Sequence, residues 1–268
     1  GTPKILEFNA DTPTSLLEAS VIQWQWKEDV FPECDQFNGI HEGLVQSWKD
    51  IFPKKGEIHF AGALENNEDT GTLQYLASTA MEVGFSTRVL DMQALDLQNG
   101  RFFDPAGELV NRCFKLYPWE WMVDESPDGC LAEMEWLEPI WKLVMSNKAI
   151  LATLYELFPD SPYVLPCYLS RPRSGLFCKK PVFSREGHNV SVVDIRDWEE
   201  YVRIAETEGD YNTGAYVYQE YVEPTAYSGR YPVIGSWIIG GEAAGIGIRE
   251  NRMEVTDNLS EFVPHIIG

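Results

Sequence analysis

The chain has 268 residues, enough for one large or two modest cores. Forty-two acidic against 21 basic side chains leave a net charge of −21, which argues against binding nucleic acid or an anionic membrane and leaves cationic partners such as polyamines or basic peptides open. No apolar run approaches the ~20 residues of a transmembrane helix, and the first residues lack the basic and apolar regions of a signal peptide.

The stretch "KILEFN" (4–9) predicts a strand. Side chains alternate faces along a strand, so Glu7, Asn9 and Asp11 project to one side, and three oxygen donors there suit a hard cation such as magnesium. A solvated edge strand running into a helix cap at Thr12 or Thr14 fits the same residues. An amphipathic helix is predicted near 14–27, with Leu17, Val21, Ile22 and Trp24 on its apolar face, and a second over 41–51. "EIHFAGAL" (57–64), an acidic turn (65–71), "TLQYLASTAMEVGF" (72–85) and "STRVLDM" (86–92) read as strand, turn, helix and strand. That order implies a parallel pair with a right-handed crossover, with Glu68 and Asp69 at the carboxyl end where ligands tend to bind. There is no GxGxxG, so dinucleotide binding is unsupported.

Residues 108–121 predict a strand carrying Lys115 into an aromatic loop, and 146–158 a capped helix with Lys148 in its first turn. A cation there opposes the helix dipole unless an anion stands beside it. The last third predicts two strands (175–195) joined by the loop Ser184–Asn189, a strand at 215–224, and a hairpin (231–250) turning at Gly240–Gly241–Glu242. The sum is α+β, with a parallel βαβ piece and an antiparallel region. Cys34, Cys113, Cys130, Cys167 and Cys178 show no ligand spacing and read as reduced, mostly buried thiols of a cytoplasmic protein. His41, His59, His188 and His265 form no metal set by spacing; only His188, in the loop, stands where phosphate could lie.

Lys115, Lys148 and Lys180 each fit a solvated surface lysine when taken singly. Together with a loop containing Gly187 and a strand end bearing Glu7 and Asn9, they are the parts needed to hold a nucleoside triphosphate and magnesium. No Walker loop GxxxxGK[ST] is present, which excludes the P-loop architecture.

Five ordered stretches, "EFNADTPTSLLEA", "FKLYPWEW", "SNKAILATLYELFP", "KKPVFSREGHNV" and "IGSWIIGGEAAGIGIRE", resemble the synthetase domain of the glutathionylspermidine synthase family, and more closely its stand-alone bacterial relatives. The resemblance runs from about residue 4 to the C-terminus and implies an ATP-grasp fold with a βαβ pre-ATP-grasp substrate unit. The divisions expected are 1–52, with the metal-binding strand, 53–120, the substrate unit, and 121–268, the nucleotide-binding region. It implies an ATP-dependent carboxylate–amine ligase that forms an amide through an acyl phosphate, acting on a carboxylate or peptide and an amine such as a polyamine. By that resemblance Glu7 and Asn9 are magnesium ligands, and Lys148 and Lys180 contact ATP. Ser184, Arg185, Glu186 and Gly187 form the phosphate-covering loop, and Gln219, Glu220 and Tyr221 form the edge strand that meets adenine. Thr12, Thr14, Glu68, Asp69 and Glu261 fall at peptide and amine positions, and Arg249 holds the substrate carboxylate, acting with Lys180 as a catalytic residue.

Two departures bear on substrates: Leu116 replaces a threonine of the family, and Glu261 an aspartate. They motivate an alternative, a non-catalytic nucleotide- or polyamine-binding protein of the same fold, and a phosphotransferase is a third reading. The family's Arg-x-Asp strand precedes the point where this sequence opens on Gly1, so roughly one hundred upstream residues, a typical domain's worth, are expected to be needed for full activity.

Overall fold

Glu57 is followed by five buried residues, the pattern of a strand covered on both faces. The computed structural model describes residues 1–197, 201–211, 214–253 and 260–268. These fall into two compact units: a first (Gly1–Asn9, Val144–Val233, Arg249–Glu261) and a second (Ala10–Leu143, Ile234–Ile248, Phe262–Gly268).

The second unit opens with a π turn (Glu18–Ile22) leading into α1 (Gln23–Val30), and then α2 (Ile40–Ile51). The apolar face predicted for the first helix is not the buried one. Val21, Ile22 and Trp24 are exposed, whereas Leu16, Ala19, Ser20, Gln23 and Lys27 are buried. The π turn, whose Gln23 amide donates to the Glu18 carbonyl five residues back, rotates the sequence off the 3.6-residue period.

The βαβ reading holds. β1 (Glu57–Gly62) and β2 (Ser86–Asp91) pair in parallel across α3 (Asn67–Glu82), in register from Glu57↔Ser86 to Gly62↔Asp91. The helix starts earlier than predicted because the Asn66 side chain caps it, accepting the Glu68 amide at 2.9 Å. Glu68 and Asp69 therefore sit in the first turn of α3 rather than in a free turn, where carboxylates favour the helix dipole. β3 (Asp96–Gln98), β4 (Arg101–Phe103) and β5 (Leu109–Val110) form a small antiparallel sheet. β6 (Arg112–Leu116) then joins the parallel sheet, and α4 (Trp119–Glu125) stands where an aromatic loop was expected. After α5 (Pro127–Cys130), β7 (Glu135–Leu137) completes the order β2-β1-β6-β7, all parallel. Phe60 and Phe114 of this sheet pack with Leu73, Leu76 and Ala80 of α3 and with Trp48 of α2. Each large apolar side chain buried in this way contributes about 1.5–3 kcal/mol. Trp48 Nε1 donates to Thr79 Oγ1 at 2.9 Å, so the indole enters the core with its polar atom satisfied.

Past α6 (Lys142–Ser146), the first unit is built on α7 (Ile150–Leu157), β8 (Cys167–Tyr168), β9 (Gly175–Pro181), β10 (Ser191–Ile195), β11 (Tyr201–Glu206) and β12 (Tyr216–Glu220). The five strands form an antiparallel sheet in the order β11-β10-β9-β12-β8. β12 is therefore flanked on both sides and is not the edge strand expected, because the two-residue β8 pairs with Tyr218 and Gln219. Lys148 lies in the turn before α7 rather than in its first turn. The strand predicted for 4–9 does not form; Ile5 N donates to Tyr163 O at 2.9 Å, and side chains hold the rest. β13 (Tyr231–Ile239) and β14 (Glu242–Asn251) make the predicted hairpin, with β15 (Glu261–Val263) as a third strand. Its turn places Gly240 and Gly241 at φ 61° and 91°, the left-handed pair that a two-residue hairpin turn demands. None of the five cysteines is in a disulfide, and two, Cys113 and Cys167, are buried.

Candidate functional site

Most of the side chains predicted to hold nucleotide and metal lie in the first unit, where several of them meet; Asp11 and Lys115 belong to the second. Lys148 and Lys180 are both buried. The Lys148 amide donates to Val182 O, which seats the turn before α7 against the end of β9, and its Nζ donates to Ser184 O at 2.6 Å. That Nζ also lies 3.4 Å from Glu7 Oε2. The carboxylate is thus the anion that a cation beside a helix start requires. From β9, Lys180 Nζ donates to Leu6 O at 3.0 Å and to Gln219 Oε1 at 2.8 Å. Burial lowers the pKa of Lys148, and the nearby Glu7 opposes that shift. The protein packed around the Glu7 carboxyl acts to raise its pKa, although 44% of the side chain meets solvent. Lys148 and then Lys180 outweigh this and hold the carboxyl below its ordinary value.

The loop after β9 is shaped by its backbone. Glu186, Gly187 and Asn189 all have φ between 55° and 71°, the left-handed region that a tight turn uses. Asn189 pins the loop, its Nδ2 donating to Gly209 O at 2.9 Å and its Oδ1 accepting the Tyr211 amide at 2.7 Å. Thr207 Oγ1 donates to Gly187 O and accepts the Val190 amide. Ser184 is buried, Arg185 partly so, and Glu186 exposed. Gln219 is buried within β12, whereas Glu220 is exposed. The amides of Glu220 and Tyr221 donate to Pro166 O and Leu176 O.

Asn9 Nδ2 lies 3.3 Å from Glu7 Oε1. Turned about its last bond, the Asn9 carboxamide sets its oxygen beside that carboxylate. Two exposed oxygen donors side by side are the kind of ligand a magnesium ion takes, supplying part of its usual six. Asp11, the third oxygen donor of the sequence pattern, belongs to the second unit, where it is buried against Lys115. Among the described residues no group of three or more His, Cys, Asp or Glu side chains is arranged to hold a metal ion.

The expected substrate residues divide between the units. Thr12, Thr14, Glu68 and Asp69 belong to the second unit, with Thr14 and Glu68 exposed. Arg249 and Glu261 belong to the first, Arg249 partly buried in β14 and Glu261 paired with Arg230 Nη1 at 2.7 Å. Lys115 is no surface lysine. It is sealed in the second unit, its Nζ bonded to Asp11 Oδ1 and to Tyr117 O and lying 4.3 Å from the Trp119 ring centroid.

The family model for "Glutathionylspermidine synthase preATP-grasp" matches residues 1–268. The chain belongs to this family. A Haemophilus influenzae member, provisionally named an acid–amine ligase, is 37% identical over 98% of this chain and 70% of its own length. Trypanothione synthetase of Crithidia fasciculata is 28% identical over 97% of this chain, which spans 44% of that protein. Among solved structures, the apo form of a glutathione synthetase-like effector from Globodera pallida superposes with a TM-score of 0.58 at 10% identity, covering 99% of this chain and 71% of that one. At that identity the likeness is one of fold.

Two features of this glutathionylspermidine synthase-family chain were missed in the sequence. One is the Asp11–Lys115 pair, whose members stand 104 residues apart. The other is the grip of Lys180 and Gln219 on the Ile5 and Leu6 carbonyls, a backbone contact that no side-chain pattern announces.

Proposed function

We propose that the chain is an ATP-dependent carboxylate–amine ligase whose first unit holds Mg·ATP in an ATP-grasp arrangement. The observation that carries this reading is the convergence of the buried Lys148 and Lys180 on Glu7, next to the left-handed loop at Glu186–Gly187. Lys148 pairs with Glu7, while Lys180 Nζ is bonded only to neutral oxygens, so among the described residues its positive charge has no paired carboxylate, and a polyphosphate would neutralise it. Family membership supports the same reading. Residues 53–120 then serve as the substrate unit, and the nucleotide-binding region expected at 121–268 narrows to its first-unit part, Val144–Val233 and Arg249–Glu261, together with Gly1–Asn9.

In this reading Lys148 and Lys180 meet the phosphates, the Ser184–Gly187 backbone covers them, and the β12 end at Glu220–Tyr221 meets adenine. Glu7 and Asn9 would hold magnesium, which would supply positive charge beside the transferred phosphoryl group. A carboxylate is a poor acceptor for an amine, so the γ-phosphoryl group passes to it and makes an acyl phosphate. The amine nitrogen attacks the acyl carbon, phosphate leaves, and the nitrogen loses its proton. The Arg249 guanidinium orients the carboxylate, for which its fork is well shaped. Thr12 and Thr14 offer hydroxyls to a peptide, as glutathione would require. Glu68, Asp69 and Glu261 draw in a cationic amine of the spermidine class, as the charge of −21 also favours.

Calorimetry of the protein with Mg·ATP tests the nucleotide site. Incubation with ATP, glutathione and spermidine, followed by mass spectrometry, should show ADP and a new amide together. Absence of Mg·ATP binding, or a phosphorylated product without an amide from any acid and amine supplied, overturns the reading.

A further inference from the structure

Gln219 is 2% exposed, and its amide is engaged at both ends. Its Oε1 accepts from Lys180 Nζ at 2.8 Å, and its Nε2 donates to Ile5 O at 2.9 Å. Lys180 Nζ in turn donates to Leu6 O at 3.0 Å. In the β9–β12 register Val217 stands opposite Lys180, so Gln219, two residues on, shares a face with that lysine as its diagonal neighbour. Two adjacent side chains of the central sheet thus grip two consecutive carbonyls of a segment that forms no strand of its own. Glu7 is the next residue, and Asn9 lies two beyond it.

We infer that Gln219 is a positioning residue for the metal pair: with Lys180 it fixes the backbone at Ile5 and Leu6, so that the Glu7 carboxylate lies beside Lys148 with the Asn9 carboxamide next to it. This differs from the adenine-contacting role expected from the sequence, and it rests on the reading that the first unit binds Mg·ATP. A buried amide already bonded to a lysine and a carbonyl turns no face outward for a purine edge. Without it, the Ile5 carbonyl loses its Gln219 donor, and the Glu7 side chain follows a looser backbone.

Two variants test the inference. Gln219→Leu removes both bonds, while Gln219→Glu keeps the shape and the acceptor for Lys180 but loses the donor to Ile5 O. Binding of ATP and of GTP is measured by calorimetry at stepped magnesium concentrations, with thermal unfolding to show that each variant is folded. Both variants lose the bond to Ile5 O and should need up to about tenfold more magnesium for half-maximal ATP binding, the factor expected for that one hydrogen bond, with the ratio of ATP to GTP affinity unchanged. An unchanged magnesium requirement in the folded Gln219→Glu protein overturns the inference. So does loss of the base preference in either variant, since that marks an adenine reader. If the wild-type protein binds neither nucleotide at any magnesium concentration, the nucleotide reading itself falls and this inference with it.

Discussion

Lys115 Nζ and Asp11 Oδ1 meet at 2.5 Å with both side chains sealed from solvent. The second carboxylate oxygen accepts the Trp119 amide at 2.8 Å, so Asp11 also serves a buried N–H that the first turn of α4 leaves without a helical partner. Burial lowers the pKa of Lys115, and Asp11 opposes that shift. Removing one partner leaves the other charge buried and alone. Asp11→Leu or Lys115→Met should each destabilise the protein by about 3–5 kcal/mol, whereas Asp11→Leu combined with Lys115→Met should cost less than the sum. Urea unfolding of the four proteins measures the coupling, and additive losses would show that the pair does not act as one.

The same pair marks where sequence reading stops. The βαβ piece was legible because period-2 and period-3.6 patterns are local and the crossover rule fixes the rest. The Gly240–Gly241 turn was legible because its chemistry is local too. The buried face of the first helix was not, since one π turn at Glu18–Ile22 shifts the register without any residue type announcing it. Lys115 looked like a phosphate lysine because its partner is remote in sequence. The candidate lysines Lys148 and Lys180 were legible as residue types near strand and helix ends, but their joint approach to Glu7 depends on tertiary packing of three separate segments.

His59 gives stability a pH dependence with a definite sign. It is buried in β1, and neither ring nitrogen has a hydrogen-bond partner among the described residues. Burial lowers its pKa below 6.5, while Glu57 and Asp104, each 3.8 Å from Nε2, pull it back up and Arg88 adds to the lowering. The unfolded chain therefore takes up this proton near pH 6.5 while the folded chain does not, so its contribution falls as pH drops from 6.5 towards the folded value. His59→Leu should flatten that part of the slope of unfolding free energy between pH 7 and pH 5, measured by urea titration at each pH. An identical slope in the variant would show that His59 takes up its proton equally in both states.

Lys180→Ala should weaken ATP binding. The charge-assisted contact to phosphate proposed for Lys180 is worth about 1.5–3 kcal/mol, or roughly ten- to a hundredfold in dissociation constant. The substitution also frees the Leu6 carbonyl, so the magnesium requirement should rise with it. Calorimetry with ATP at saturating and limiting magnesium separates the two effects. Unchanged ATP affinity at saturating magnesium would remove Lys180 from the phosphate site and leave it a strand clamp alone.

Arg249→Ala should behave in the opposite way. Arg249 lies in β14, a different sheet from the lysines, and is assigned to the carboxylate substrate rather than to the nucleotide. Its loss should leave ATP affinity within twofold of wild type and raise the apparent Michaelis constant of the carboxylate substrate about ten- to a hundredfold, the scale of one charged hydrogen-bonding pair. Arg249→Lys should recover only part of that, because an ammonium is a point charge and cannot match both carboxylate oxygens at once. Steady-state kinetics with the carboxylate substrate varied at saturating ATP, beside ATP calorimetry on the same preparation, measures both quantities. If Arg249→Ala abolished ATP binding and spared the Michaelis constant, Arg249 would belong to the phosphate clamp, and the carboxylate would have to be held by another residue.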